Sequence, residues 1–109
     1  MTREFLGEFE QMVLLAILRE DDRAFGLEVR RRIETDAGRQ VSRGAFYTTL
    51  ERLERKGLLK WAEAVPDDSR RAGALRRYAV TPAGLAALRA SRAATVALSR
   101  GLDALLENA

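Results

Sequence analysis

The chain has 109 residues, with 19 basic and 16 acidic side chains and a formal net charge of +3. This length predicts one domain of ordinary composition. Because the sequence contains no cysteine and no histidine, it excludes a disulfide framework, a zinc site with nitrogen or sulfur ligands, and nucleophilic catalysis by a thiol or a Ser–His pair. We expect no metal and no cofactor.

The positive charge is concentrated in the middle of the chain. Residues 39–77 carry ten basic and five acidic groups, whereas residues 1–38 carry six basic and nine acidic groups. Seventeen of the 19 basic residues are arginine, whose guanidinium fork matches phosphate oxygens. The distribution is compatible with a basic face that binds a polyanion, and it is equally compatible with a solvated surface.

No targeting or membrane segment is visible. The N-terminus is charged, and the longest unbroken apolar run is residues 12–18, far shorter than the roughly 20 residues that span a bilayer. We therefore expect a cytoplasmic protein that makes no membrane contact.

Three helices are predicted in the first half of the chain. Apolar residues recur with a helical period over 5–19, which predicts a helix buried on most sides. A second helix is predicted over about 23–36, with Asp22 as its N-cap. Ser42 is the candidate N-cap of a third helix over 43–56.

The second half of the chain predicts a hairpin and a further helix. Residues 58–64 and 75–80 read as strands, and residues 65–73 between them are rich in turn-forming and basic side chains. Thr81 followed by proline is a strong helix start, and the last helix is predicted over about 82–106. The fold class expected is mainly α with a small β-hairpin.

The last predicted helix contains a heptad pattern. Its members step by three and four residues: Leu88, Ser91, Thr95, Leu98, Leu102 and Leu105. Gly101 interrupts the helix at a cost of about 1 kcal/mol relative to alanine. It therefore indicates either a kink or a close helix crossing.

Three helices followed by a strand, a basic loop and a strand is the order of a winged helix-turn-helix. A helix about 10–12 Å across fits the major groove of DNA, and the hairpin would lie over the neighbouring backbone. The candidate contacts on the third helix lie mostly on its first turns: Ser42, Arg43, Gly44, Tyr47, Thr48 and Arg52. Helix capping, core packing and surface ion pairs are the alternative roles for Ser42, Tyr47 and Arg52.

The hairpin supplies a second set of candidate DNA contacts. Four arginines cluster around Gly73: Arg70, Arg71, Arg76 and Arg77. They are suited to phosphate oxygens or to a narrow minor groove, although an ordinary exposed hairpin also carries charge. Trp61, in the first strand, is interpreted as a packing residue rather than a ligand platform.

Several motifs carry a family resemblance. From about Phe5 to Leu88, the chain resembles the PadR-like transcriptional regulators, a winged-helix family of bacterial repressors. The most specific motifs are these: Ser42-x-Gly44-x-x-Tyr47-x-x-Leu50-x-x-Leu53, and Tyr78-x-Val80-Thr81-Pro82-x-Gly84. The resemblance implies a homodimer that binds double-stranded DNA at a partly palindromic operator and lowers transcription until a signal releases it.

The resemblance also implies a division of the chain. Residues 1–81 would form the winged helix-turn-helix DNA-binding domain. Residues 82–109 would form a dimerisation helix, as in the short subgroup of the family. The dimer contacts expected are the leucines of the heptad pattern: Leu88, Leu98, Leu102 and Leu105.

Two questions stay open at this stage. The signal is either a small-molecule effector at the dimer interface or the protein level alone. The last helix has no aromatic residue, so the aromatic drug site of some short family members does not carry over. A winged helix that binds another protein and no DNA is the alternative function. An enzyme is disfavoured, because the paired carboxylates are predicted on an exposed helix and a loop tip.

Overall fold

The computed structural model describes residues 5–66 and 73–107. Its elements follow in this order: α1 Glu8–Glu20, a 3-10 turn Asp21–Arg23, α2 Gly26–Ala37, α3 Arg43–Arg55, β1 Leu59–Ala64, β2 Leu75–Val80, α4 Pro82–Ser99 and α5 Asp103–Glu107. The predicted fold class, mainly α with a small β-hairpin, is confirmed.

Local capping explains where two of the helices begin. The Ser42 hydroxyl accepts a hydrogen bond from the Ala45 amide at 3.2 Å, and the Thr81 hydroxyl accepts one from the Gly84 amide at 3.0 Å. Each hydroxyl satisfies an amide that the first turn of a helix leaves without a partner. Both predicted caps are confirmed.

The start of α2 differs from the prediction. Asp22 lies in the 3-10 turn, and the N-cap of α2 is Phe25, whose backbone is extended. The reason is a tertiary contact, because Phe25 forms a β-bridge with Arg77 and the Tyr78 amide donates to the Ala24 carbonyl at 2.9 Å. Residues 24–25 therefore form a short extended segment beside the hairpin, and α2 begins about one turn later than predicted.

The core lies where α1, α2, α3, the hairpin and the start of α4 meet. Its largest fully buried side chains are the following: Phe46, Leu14, Ile17, Leu53, Val13 and Val29. Phe46 and Leu53 come from the inner face of α3, so the same side chains that form the core also fix the rotation of α3 about its axis. The opposite face of α3 is left exposed.

The two strands form an antiparallel hairpin with a continuous register. Leu59 pairs with Val80 at the base, Trp61 pairs with Tyr78, and Ala64 pairs with Leu75 at the end towards the loop. Because paired residues lie on the same side of the sheet, Trp61 and Tyr78 share the face that packs on the core.

The C-terminal region is not the single helix predicted over 82–106. The α4 helix ends at Ser99, Arg100 is extended, and Gly101 has a φ of 85° before α5 begins. A positive φ is readily adopted by glycine and disfavoured for other residues, so the chain turns at this point. Of the two alternatives predicted for Gly101, the structure shows the kink, and the prediction of a continuous helix is wrong.

Over the described ranges, no helix is both long and apolar enough to cross a membrane.

Candidate nucleic-acid interface

The first two turns of α3 bring together the residues predicted on that helix. Ser42, Arg43, Gly44 and Thr48 are exposed, and Tyr47 is partly buried. Gly44 and Thr48 face away from Phe46 and its buried neighbours, whereas Tyr47, with Arg43 beside its ring, lies at the edge of that side and packs against the core. The structure therefore presents one small, polar and positively charged surface, in which Gly44 has open space where a side chain would begin.

Tyr47 connects this surface with the start of α2. The Tyr47 ring packs edge-on against the Phe46 ring, with 5.2 Å between the two centroids. The Arg43 guanidinium lies 5.6 Å from the centroid of the Tyr47 ring. A Cβ on Gly26 would lie 2.6 Å from the Tyr47 hydroxyl oxygen, so Gly26 leaves the space that the tyrosine occupies. Sequence reasoning missed Gly26, because no local pattern indicates which side chain lies above it.

Arg52 lies at the edge of the outer face of α3. It is exposed and close enough to the Glu10 carboxylate of α1 to lower the pKa of that group. On an α-helix, residue 52 lies about 40° around the axis from residue 48 and about 80° from residue 44. Arg52 therefore borders the polar surface on the side of α1.

The two described arginines of the hairpin point in different directions. The Arg76 guanidinium lies 4.0 Å from the centroid of the Trp61 ring, on the face that Trp61 shares with Tyr78, whereas Arg77, the next residue along β2, lies on the opposite face of the hairpin. This follows from the alternation of side chains along a strand. The other two predicted arginines, Arg70 and Arg71, lie outside the described residues.

Trp61 and Tyr78 fix the base of the hairpin. The Trp61 indole packs against the core and donates a hydrogen bond to the Glu54 carboxylate at 3.0 Å, as the packing interpretation predicts. Burial raises the pKa of Tyr78, and the Arg76 guanidinium opposes this only in part. The tyrosine therefore stays neutral at physiological pH. These contacts hold the hairpin against the C-terminal half of α3.

The first turn of α1 forms ion pairs with residues on both sides of α3. The Glu8 carboxylate pairs with Arg39, just before α3, at 2.8 Å. The Glu10 carboxylate pairs with Lys56, just after α3, at 3.1 Å. Burial acts to raise the pKa of Glu10, but hydrogen bonds from the Gly7 amide and Lys56 outweigh it, and the net shift is downward. Glu10 therefore stays ionised inside the protein.

The same segment is joined to α4. The Leu6 amide donates to the Ser91 hydroxyl at 2.9 Å, and Ser91 donates in turn to the Ala87 carbonyl at 2.9 Å. Residues 6–10 therefore contact α4 on one side and the ends of α3 on the other. Sequence reasoning missed this connection, because the paired residues lie up to 85 positions apart.

The predicted dimerisation leucines are not equivalent. Leu88 is 3% exposed and belongs to the core of its own chain, whereas Leu98 is 82% exposed and Leu105 is 70% exposed. Leu102 is 45% exposed. An apolar surface therefore begins near the end of α4 and continues through α5, and Leu88 holds α4 on the domain.

Three helices followed by a hairpin, with a polar outer face on the third helix, define a winged helix-turn-helix protein. The chain matches the model of the transcriptional regulator PadR-like family over residues 14–90. This protein therefore belongs to that family of transcriptional regulators.

Individual relatives agree with this assignment. Transcriptional regulator Rv3488 of Mycobacterium tuberculosis is 46% identical over 63 residues, which are 58% of this chain and 55% of that protein. The chain thus matches about half the length of this curated relative. A PadR family regulator from Eggerthella lenta DSM 2243 has 25% identity and a TM-score of 0.62, covering 94% of this chain and 88% of its own.

A second solved structure supports the fold alone. The PadR family transcription regulator from Clostridium difficile R20291 has a TM-score of 0.67 at 21% identity, covering 90% of this chain and 98% of its own.

Proposed function

We propose that this regulator is a homodimeric repressor that binds a partly palindromic DNA operator in the cytoplasm. The observation that carries the proposal is the exposed surface formed by Arg43, Gly44 and Thr48 on the first turns of α3. The buried inner face of α3 and its N-cap hold that surface in one orientation. A helix presented in this way can enter the major groove and meet base edges.

The proposal assigns different contacts to the helix and the hairpin. Arg43 and Thr48 would approach base edges, Gly44 would allow close approach of the backbone, and Ser42 and Tyr47 would lie at the margin. Arg52 and the hairpin arginines, Arg70, Arg71, Arg76 and Arg77, would contact phosphates. Phosphate contacts position a protein on DNA, whereas base contacts specify the sequence.

The exposed leucines support a homodimer built by residues 82–109, with residues 1–81 as the DNA-binding domain. Large exposed apolar surfaces mark interaction sites, and Leu98, Leu102 and Leu105 are all exposed near the C-terminal end of the chain. In a symmetric dimer the two copies of α3 would enter successive major grooves about 34 Å apart. A palindromic operator whose half-sites are one helical turn apart has the same spacing.

The groove between α1 and α2 is too small to hold a drug-sized effector within one subunit. The groove between α1 and α2, lined by Met12, Leu15 and Ile33 among others, has a volume of about 170 Å³. Drug-sized ligands occupy cavities of roughly 300–1,000 Å³. An effector that bound in this groove would therefore need the partner subunit to complete the cavity at the dimer interface.

A fluorescence anisotropy titration tests the proposed function. The probes are the DNA upstream of the protein's own gene and a scrambled duplex, each at two salt concentrations. We expect tight binding to the first duplex that weakens steeply with salt, because neutralised phosphates release counterions.

Two variants separate the two kinds of contact. Arg43→Ala should lose selectivity between the duplexes, whereas the double variant Arg70→Ala/Arg71→Ala should lose affinity for both and show a shallower salt dependence. Equal, weak binding of the wild-type protein to both duplexes would contradict the proposal and favour a winged helix that binds another protein.

A further inference from the structure

The outermost line of α3 contains a carboxylate. Gly44, Thr48, Glu51 and Arg55 are all exposed and follow one another at spacings of four, three and four residues. This spacing places them on a single stripe of an α-helix. The stripe is opposite the buried face that contains Phe46 and Leu53, so Glu51 lies in the middle of the surface that faces away from the core.

Glu51 differs from the carboxylates on either side of α3. Glu54 accepts a hydrogen bond from Trp61 at 3.0 Å, and Glu10 of α1 pairs with Lys56 at 3.1 Å. Within residues 5–66 and 73–107, neither a hydrogen bond nor an ion pair involves Glu51. Arg55 lies four residues further on, the favoured spacing for a Glu–Arg pair, yet the pair does not form.

An unpaired carboxylate on a DNA-facing surface has a definite physical cost. It repels the phosphates on both sides of the groove and lowers affinity for DNA of any sequence. The free-energy cost of placing its oxygens in the groove is offset where a base edge offers hydrogen-bond donors. In the major groove, cytosine offers the N4 amino group and no acceptor, whereas adenine places the N7 acceptor beside its N6 amino group, and guanine offers only acceptors.

We propose that Glu51 is a specificity-determining residue that accepts a hydrogen bond from the N4 amino group of a cytosine in each half-site. This inference rests on the proposed function, since it requires α3 to lie in the major groove. Glu51 then acts mainly by exclusion, because guanine O6 and thymine O4 would face its negative oxygens. Thr48, three residues earlier on the same stripe, would lie against a neighbouring base pair.

The test is selection from a library of random duplexes by the full-length protein, followed by sequencing of the bound DNA. The variants are Glu51→Gln, Glu51→Ala and the matched control Asp22→Asn, which removes an exposed carboxylate from the 3-10 turn before α2. Glu51 is exposed, so all variants should melt at the wild-type temperature, and this is checked first.

The wild-type protein and Asp22→Asn should both require cytosine at one position of each half-site. Glu51→Gln should change that preference towards adenine, which a glutamine amide recognises at N6 and N7. Glu51→Ala should reduce the preference at that position about tenfold or more and keep the others. Binding of Glu51→Gln to a scrambled duplex should tighten several-fold at low salt.

Two results would overturn the inference in different ways. A wild-type protein that enriches no motif contradicts the proposed function and this inference together. A wild-type motif that both Glu51 variants retain at every position contradicts the role of Glu51 alone.

Discussion

Two glycines, one in α3 and one in α4, have opposite surroundings. A Cβ on Gly84, in the first turn of α4, would overlap the carbonyl oxygen of Leu58 and lie 2.9 Å from Cγ1 of Val80. A Cβ on Gly44 would meet nothing within 4 Å. Packing therefore requires glycine at position 84, whereas position 44 has room for a side chain.

We expect Gly84→Ala to lower the free energy of unfolding by about 1–3 kcal/mol, because backbone must move to admit the methyl group. Gly44→Ala should instead raise the free energy of unfolding by about 0.5–1 kcal/mol, the usual gain within a helix. It should also weaken operator binding, because it adds a methyl group to the proposed DNA surface. Urea unfolding of both variants measures the changes in the free energy of unfolding, and fluorescence anisotropy measures operator binding by Gly44→Ala. A Gly84→Ala variant as stable as the wild type would contradict the overlap.

Asp21 is the one non-glycine residue with a positive φ among those described. Its φ of 51° and ψ of −116° fall in a region that glycine adopts more readily, and strain of this kind costs about 1–3 kcal/mol. Asp21→Gly should therefore raise the melting temperature. The matched variant Asp22→Gly, at the next exposed position, has no such strain to relieve and should lower it. An unchanged or lower melting temperature for Asp21→Gly would refute the argument.

At the scale of elements, the link between α1 and α3 is expected to depend on pH. The pKa of Glu10 is lowered from its ordinary value of 4.5 by the Gly7 amide and Lys56, which outweigh its burial. A carboxylate whose pKa is lowered in the folded state stabilises that state above its unfolded pKa and loses this contribution as pH falls through the folded value.

Glu10→Gln should lower the free energy of unfolding at pH 7 by about 1–3 kcal/mol, since a charged hydrogen bond and an ion pair are lost. The difference from the wild type should shrink as pH falls below 4.5. Denaturant titrations at several pH values measure it, with the exposed Glu107→Gln as control. A difference that stayed constant down to pH 3 would show that Glu10 does not contribute as a charged group.

The elements that sequence predicted well are those determined by nearby residues. Ser42 and Thr81 cap helices through amides three residues away. The predicted heptad pattern, in contrast, is interrupted by the turn at Gly101 between Leu98 and Leu105. The start of α2 was misplaced, because Phe25 pairs with a strand more than 50 residues further on. The pair of Glu10 and Lys56, 46 residues apart, has no local signal either.

The candidate site follows the same division. The outward residues of α3 were predicted because helical periodicity alone fixes which side chains lie opposite Phe46. Arg52 was grouped with them although the structure places it towards Glu10, since the position of α1 beside α3 is a tertiary property. Arg76 and Arg77 lie on opposite faces of the hairpin because side chains alternate along a strand. The prediction grouped the two arginines by their closeness in sequence and did not apply this alternation.

At the scale of the whole molecule, the proposed operator binding requires two copies of the chain. Leu98 and Leu105 are 82% and 70% exposed, so replacing both with lysine removes apolar surface without disturbing the core. The double variant Leu98→Lys/Leu105→Lys should remain folded and sediment as a monomer. Val65→Lys, at a position 69% exposed on the hairpin side, should leave the oligomeric state unchanged.

The same variant separates dimerisation from DNA recognition. A tethered second subunit binds its half-site at an effective concentration in the millimolar range, which raises affinity by about 10²–10⁴ without any new contact. The lysine variant should therefore lose about that factor on an operator with two half-sites and keep wild-type affinity for one isolated half-site. Equal losses on both duplexes would mean that Leu98 and Leu105 act on the DNA surface itself, and a dimer that persisted would place the subunit interface elsewhere on the chain.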